Sequence, residues 1–229
     1  MKYRDFENII SAERMKRYVI ACRGSARKGM TLYRYNLALA SELLKIIGCF
    51  EVALRNRIDK TMEQFLGNDW LRDSCLTGGI FDNSKTCLTQ KIISRAYNNL
   101  VAEGTYTPTK LMAEMEFGIW KYMYSGPQYV ATGQKLLAVF PSKPKSNANL
   151  RIDNKYIFNE LTRINNMRNR IAHHEPICFA AGLPVKSVAY VEAEYKRIMK
   201  LFNWMGIDGN NLLYGINHID RYCEKILCL

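Results

Sequence analysis

The sequence predicts an all-α protein. Three observations carry that expectation. Apolar residues recur at spacings of three and four along several long stretches, Gly, Pro and Asn punctuate those stretches, and no run shows the period-two alternation of a half-buried strand. The expected architecture is a helical bundle built as a single domain over residues 1–229, with one long central helix as its spine.

The first helix is expected from about Ser11 to Cys22, stopping near Gly24. A short basic loop follows, in which Arg23, Arg27 and Lys28 alternate with small residues. That loop could touch phosphate, although such loops are commonly plain solvated turns. Thr31 is a candidate cap for the next helix. Its stripe runs through Leu32, Tyr35, Leu39, Leu43, Ile46, Phe50, Leu54, Ile58, Met62 and Phe65, with a possible break at Gly48 and an end at Gly67-Asn68. Roughly 35 residues in this helix would reach about 50 Å. Glu51 and Arg55 stand four apart on it as a possible ion pair.

Residues 68–84 read as a loop with one turn of helix, and a third helix spans about Thr86 to Val101. Thr107-Pro108 opens a fourth, with Leu111, Met115, Ile119 and Met123 as its core stripe and Trp120 beside it in the core. Ser125-Gly126-Pro127 stops that helix, and a short one follows around Gly133–Phe140. Pro141 to Asn149 is a polar, basic connector, read as an exposed loop inside the domain. A helix from about Asp153 to His174 comes next, then a turn over Ile177–Pro184. The chain ends in a helix with the stripe Val188 to Met205, a loop, and a last short helix from Ile216 to Cys228.

Composition narrows the function. Lys plus Arg is 33 against 21 for Asp plus Glu, a net charge of +12, so a polyanion is the first partner to consider. No apolar run approaches the ~18–20 residues of a membrane helix, and the first residues lack the apolar core of a signal peptide. Seven scattered cysteines form no Cys-x-x-Cys pair, which supports neither a disulfide framework nor a zinc site and suits a reducing cytoplasm. There is no phosphate-binding P-loop and no Gly-x-Gly-x-x-Gly. No cofactor is expected.

The chemistry concentrates in Met167-Arg168-Asn169-Arg170-Ile171-Ala172-His173-His174-Glu175-Pro176, which holds two of the three histidines. Arg168 falls in phase with the apolar stripe Ile157, Leu161, Ile164 and Ile171, where a permanent charge needs a partner or a task. Glu51 is one candidate partner. Thr162, Asn165, Asn169 and His173 stack as the next, polar column. At about 100° per residue Arg168 and His173 are about 140° apart, so the long Arg must swing toward the column or a symmetry mate must complete the site. Pro176 ends the helix at about His174 or Glu175 and leaves His173 in the last turn, among carbonyls that favour imidazolium. A metal site is not expected, because adjacent His173 and His174 diverge on a helix, unlike His-Glu-x-x-His. Cys178 and His218 offer no catalytic partnership visible from sequence.

Arg168-Asn169-Arg170-Ile171-Ala172-His173 reads as Arg-Asn-x-x-x-His, which resembles the signature of the HEPN superfamily. The extended run to Ile177 resembles the Abi-like branch, the bacterial abortive-infection proteins. Ser11 through Tyr18, Leu32 to Asn36, Glu51 to Asn56 and Glu116-Phe117-Gly118-Ile119-Trp120 resemble that family's other segments, so the likeness covers roughly residues 10–180. The resemblance implies a metal-independent endoribonuclease acting as a homodimer, with Arg168, Asn169 and His173 as catalytic residues. Arg170, His174, Arg55 and Glu51 would bind RNA or support the site. It further implies a growth-arresting effector of phage defence restrained by an antitoxin protein or RNA. The alternatives are an RNA- or nucleotide-binding module that does not cut, with RNA as a structural or regulatory partner, and a bundle modified by a partner nucleotidyltransferase. The structural alternative for the motif is a helix end whose Arg and Asn pair locally and whose histidines cap carbonyls. Arg55-Asn56-Arg57-Ile58 repeats the tetrad Arg168–Ile171, but Lys60 stands where His173 would, so that copy cannot repeat the acid–base chemistry.

Overall fold

The structure is a computed structural model that describes residues 1–147 and 150–229. Among the described residues all regular structure is helical, as expected: α1 Tyr3–Ile10, α2 Ala12–Ala21, α3 Ala26–Leu66, α4 Trp70–Cys75, α5 Cys87–Ala102 and α6 Pro108–Ala113. These are followed by α7 Phe117–Tyr122, α8 Gly126–Ala131, a 3-10 turn Leu136–Val139, α9 Asn154–Ala172, α10 Ala189–Trp204, α11 Gly209–Leu212 and α12 Ile219–Leu227. A single antiparallel bridge among these residues joins Phe179 and Lys186. Ala148 and Asn149, at the end of the expected basic connector, lie outside the described residues.

The spine is longer than its expected span. α3 has 41 residues, is continuous through Gly48 and starts at Ala26, not near Thr31. Its cap is Ser25, whose hydroxyl accepts from the Lys28 amide at 3.4 Å, while Thr31 Oγ1 bonds back to the Arg27 carbonyl inside the helix. Gly29 hides this start in the sequence. A Cβ there would meet Val19 Cγ2 at 3.0 Å and the Val19 backbone at 3.3 Å, so glycine lets α2 and α3 approach.

Two other boundaries differ. The expected fourth helix is two, α6 and α7, because the chain turns through Glu114–Glu116, yet Leu111, Met115, Ile119 and Met123 all stay buried. Period-four burial therefore reads straight through a helix break. Pro127 starts α8 rather than stopping a helix, since its missing N–H costs nothing in a first turn.

The chain divides into two compact units. One holds Met1–Gly48, Asn166–Met199 and Gly209–Leu229; the other holds Cys49–Asn165 and Lys200–Asp208. In the second, Phe50 packs edge-on to Phe202 at 5.3 Å and tilted to Phe117 at 6.4 Å, and Trp120 is fully buried as expected. In the first, Phe6, Tyr33, Tyr18 and Phe179 form a chain of edge contacts between 5.0 and 5.5 Å. Tyr18 is so enclosed there that burial drives its phenol well above the usual range. His218, which showed no partner in the sequence, lies with Nδ1 3.4 Å from the Glu42 carboxylate, and its backbone N–H donates to the same oxygen at 3.2 Å. Burial raises the Glu42 pKa, but Lys45 and His218 outweigh that and hold the carboxyl below its ordinary value.

Candidate functional site

The motif sits at the C-terminal end of α9, within the first unit. The helix closes in a Schellman arrangement: the Glu175 amide donates to the Arg170 carbonyl and the His174 amide to the Ile171 carbonyl, both at 2.9 Å. His174 takes the left-handed position at φ 55°, a place normally filled by glycine. The helix ends at Ala172, two to three residues before the end expected from Pro176 at His174 or Glu175. Arg14 of α2 donates from Nη1 to the His174 carbonyl at 3.1 Å, a cation on the negative end of the helix.

The left-handed backbone gives a test of what His174 is for. A β-carbon in this conformation costs about 1–2 kcal/mol, partly offset because glycine gains freedom in the unfolded chain. The His174→Gly variant is expected to be stabilised by about 1 kcal/mol, which for a chain of this size is a rise of about 2–4 °C in Tm. Thermal denaturation followed by circular dichroism checks this. A lower Tm would mean that the imidazole itself holds the turn.

Beyond His174 the chain is fastened at two levels. The Ile177 amide donates to Oδ1 of Asn36 at 2.8 Å, and Asn36 is buried in α3. Arg17 of α2 donates to the Leu183 carbonyl at 2.7 Å and to the Ala180 carbonyl at 3.0 Å, with its guanidinium 4.5 Å from the Phe179 ring centre. Sequence reasoning missed Asn36 and Arg17. Asn36 did leave a signal: it falls between Leu32 and Leu39 at spacings of four and three, a polar residue in phase with a core stripe. Tyr35, assigned to that stripe, is only half-buried.

Arg168, Asn169 and Arg170 are half-buried, and His173 and His174 are exposed. Arg168 Nη1 lies 3.4 Å from Asn169 Oδ1, a long hydrogen bond between the first two motif residues. Among the described residues Arg168 makes no ion pair. Arg170 pairs by charge with Glu175, its Nε 3.2 Å from a carboxylate oxygen but off hydrogen-bond geometry, so that buried Nε–H has no hydrogen-bond partner among the described residues; its guanidinium lies 5.8 Å from the Tyr190 ring centre. The His173 imidazole is exposed and makes no hydrogen bond to any described residue, so both of its nitrogens are open to solvent. Glu51 and Arg55 belong to the second unit, and Arg55 has its Nε buried without a hydrogen-bond partner among the described residues. Cys178 is fully buried and its thiol is pushed up to about 12 by burial, the reverse of an activated nucleophile. No group of three or more His, Cys, Asp or Glu among the described residues is placed to hold a metal ion.

A recess of about 430 Å³ in the same unit as the motif is lined by Arg23, Lys28 and Lys186 beside buried Cys22. Arg23 is itself left-handed at φ 54°. Lys28 Nζ donates to the Leu229 carbonyl at 2.8 Å, whereas Arg23 and Lys186 have no anionic partner among the described residues. Two of these cations come from the basic loop seen in the sequence, and Lys186 joins them through the bridge to Phe179.

The class of protein is thus an all-helical, basic chain that presents Arg, Asn and His together at one helix end. The family model for Abi-like proteins matches residues 6–178, and the chain belongs to that family. Comparison with curated proteins and with solved structures finds no match. No helix among the described residues is long and apolar enough to cross a membrane.

Proposed function

We propose that this chain is a metal-independent endoribonuclease of the HEPN type, acting as an effector of bacterial phage defence by abortive infection. The observation that carries the reading is an exposed, unbonded His173 imidazole on the same helix end as Arg168. The Arg168 guanidinium is tied to Asn169, and no carboxylate among the described residues neutralises it. Membership of the Abi-like family supports the defence role.

The reaction needs three services. A base takes the proton from the ribose 2′-OH as that oxygen attacks phosphorus. A cation holds the charge that collects on the phosphorane oxygens. An acid protonates O5′ as the P–O5′ bond breaks. His173 serves as base or acid, Arg168 grips the phosphate with two N–H groups, and Asn169 orients Arg168 or the substrate. One chain presents one such set, so a homodimer that juxtaposes two sets supplies both the base and the acid. The products carry a 2′,3′-cyclic phosphate and a 5′-OH. The test is cleavage of labelled RNA in EDTA with analysis of the 3′ ends. An antitoxin, protein or RNA, would restrain the activity by covering this helix end.

A second reading has its own observation, the recess of Arg23, Lys28 and Lys186, which suits a phosphate backbone without any need to cut it. If RNA lies there, Lys186→Ala weakens binding evenly across sequences. It also makes the slope of log affinity against log salt shallower by about 0.7 for each single-stranded phosphate that the lysine no longer neutralises. Filter binding at a series of salt concentrations checks this, and an unchanged slope removes the recess from the RNA path.

A further inference from the structure

The second unit contains a groove of about 490 Å³ that the proposed chemistry does not use. One wall is the face of α5 carrying Ile92, Arg95 and Asn99; the other is Gly118, Ile119 and Tyr122 of α7, with Glu114 and Glu116 in the link before it. Its size is that of a small-molecule site. Ile92 and Tyr122, about half exposed, present apolar surface to it, and Lys121 Nζ stands 4.3 Å from the centre of the Tyr122 ring. The Arg95 guanidinium and the Asn99 amide make no hydrogen bond to any described residue.

Gly118 sets this groove apart from an accidental gap. A glycine inside a helix lowers its stability, so it calls for a reason. Gly118 is not left-handed, and a Cβ built on it would meet nothing within 4 Å. Neither backbone conformation nor packing demands glycine here. The absent side chain leaves open space along the wall of the groove.

We propose that this groove holds an unstacked nucleobase, with guanine the best match. Two carboxylates against one guanidinium disfavour a phosphate at this position and favour a neutral ring that carries both donors and acceptors. Guanine offers O6 and N7 as acceptors for Arg95, and N1–H and the N2 amino group as donors to a glutamate. Its faces pack against Ile92, Ile119 and Tyr122, as splayed-out bases pack on aromatic and apolar side chains. The base comes either from a single RNA strand or from a free guanine nucleotide. This inference does not rest on the cleavage reading.

The experiment measures binding to the full chain of two probes: guanosine monophosphate, and a fluorescent 2′-O-methyl oligouridine carrying one guanine. The oligonucleotide control has an abasic site in place of the guanine, and the 2′-O-methyl groups block cleavage by 2′-OH attack, so ribonuclease activity does not enter. Guanine is expected to tighten oligonucleotide binding at least tenfold over the abasic strand. Gly118→Leu is expected to erase that difference while its Tm stays level or rises. A guanine effect in the strand alone assigns the site to RNA, and binding of the mononucleotide alone assigns it to a free nucleotide; each supports the base pocket. Equal binding of guanine and abasic strands with no mononucleotide bound overturns it, as does a guanine effect undiminished in Gly118→Leu. Adenine binding as tightly as guanine overturns the assignment to guanine. Should Gly118→Leu lose helical signal, Glu116→Gln replaces it and must weaken guanine at least tenfold.

Discussion

His173→Ala is expected to lower the rate of RNA cleavage in EDTA by 10²–10⁴-fold, the usual worth of a positioned acid–base group. The same substitution should leave the fold intact, because the side chain is exposed and unbonded, and surface changes of that kind stay within about 0.5 kcal/mol. Arg168→Ala should cost a further comparable factor by removing the cation that meets the phosphorane, about 10²–10³-fold. Arg168→Lys should not restore it, since an ammonium cannot reproduce the two-pronged contact of a guanidinium. Wild type and the three variants, purified in parallel and compared by rate, 3′-end chemistry and Tm, decide the matter. Cyclic phosphate ends that vanish with His173 carry the ribonuclease reading. Equal cleavage by wild type and His173→Ala would remove His173 from the chemistry. A His174→Gly variant that keeps full activity would show that the neighbouring imidazole does not stand in for it.

The helices were legible where burial and periodicity coincide. The stripes of α3, α9 and α10 are read from spacing alone, because each buries one continuous face. The failures have local causes. Ser25 caps α3, but Gly29, present for its approach to Val19, disguises the first turn as loop. Glu114–Glu116 breaks a helix whose buried residues keep their spacing across the break. α1 buries only Phe6, so it leaves almost no apolar stripe to find. The motif residues were legible as a run, since Arg168, Asn169 and His173 follow one another at the C-terminal end of α9, and Arg168 and Asn169 meet at 3.4 Å. What sequence could not supply was its fastening. Arg14, Arg17 and Asn36 come from helices about 140 to 170 positions away, and tertiary contacts of that kind have no local signature. The Glu42–His218 pair was hidden in the same way. The distinction between Arg168 and Arg170 also needed the structure: at the same half-buried depth, Glu175 occupies one, and no carboxylate among the described residues occupies the other.

Asn36→Leu should be the most destabilising single change at this site, at about 1–3 kcal/mol. Leucine fits the stripe between Leu32 and Leu39, so volume is not the problem. The cost comes from the Ile177 amide, which is buried and is left without its acceptor. Arg17→Ala removes more hydrogen bonds from the same loop, yet it should cost less, under about 1 kcal/mol. The Leu183 carbonyl it leaves behind is exposed and turns to water. Thermal melts of the two variants test the ordering directly: a Tm lower by about 4–8 °C for Asn36→Leu against one within about 3 °C for Arg17→Ala. A reversed order would mean that the exposed clamp, not the buried one, holds the chain after the motif. Activity adds a second readout. The Asn36 hydrogen bond falls four residues after His173, so removing it lets the helix end shift. Cleavage measured well below the Tm should then fall by at least tenfold, because a displacement of about 1 Å at a reacting group costs on the order of 10²-fold. Full activity in a destabilised Asn36→Leu would instead show that the Schellman turn and the Arg14 contact hold His173 in place without help from α3.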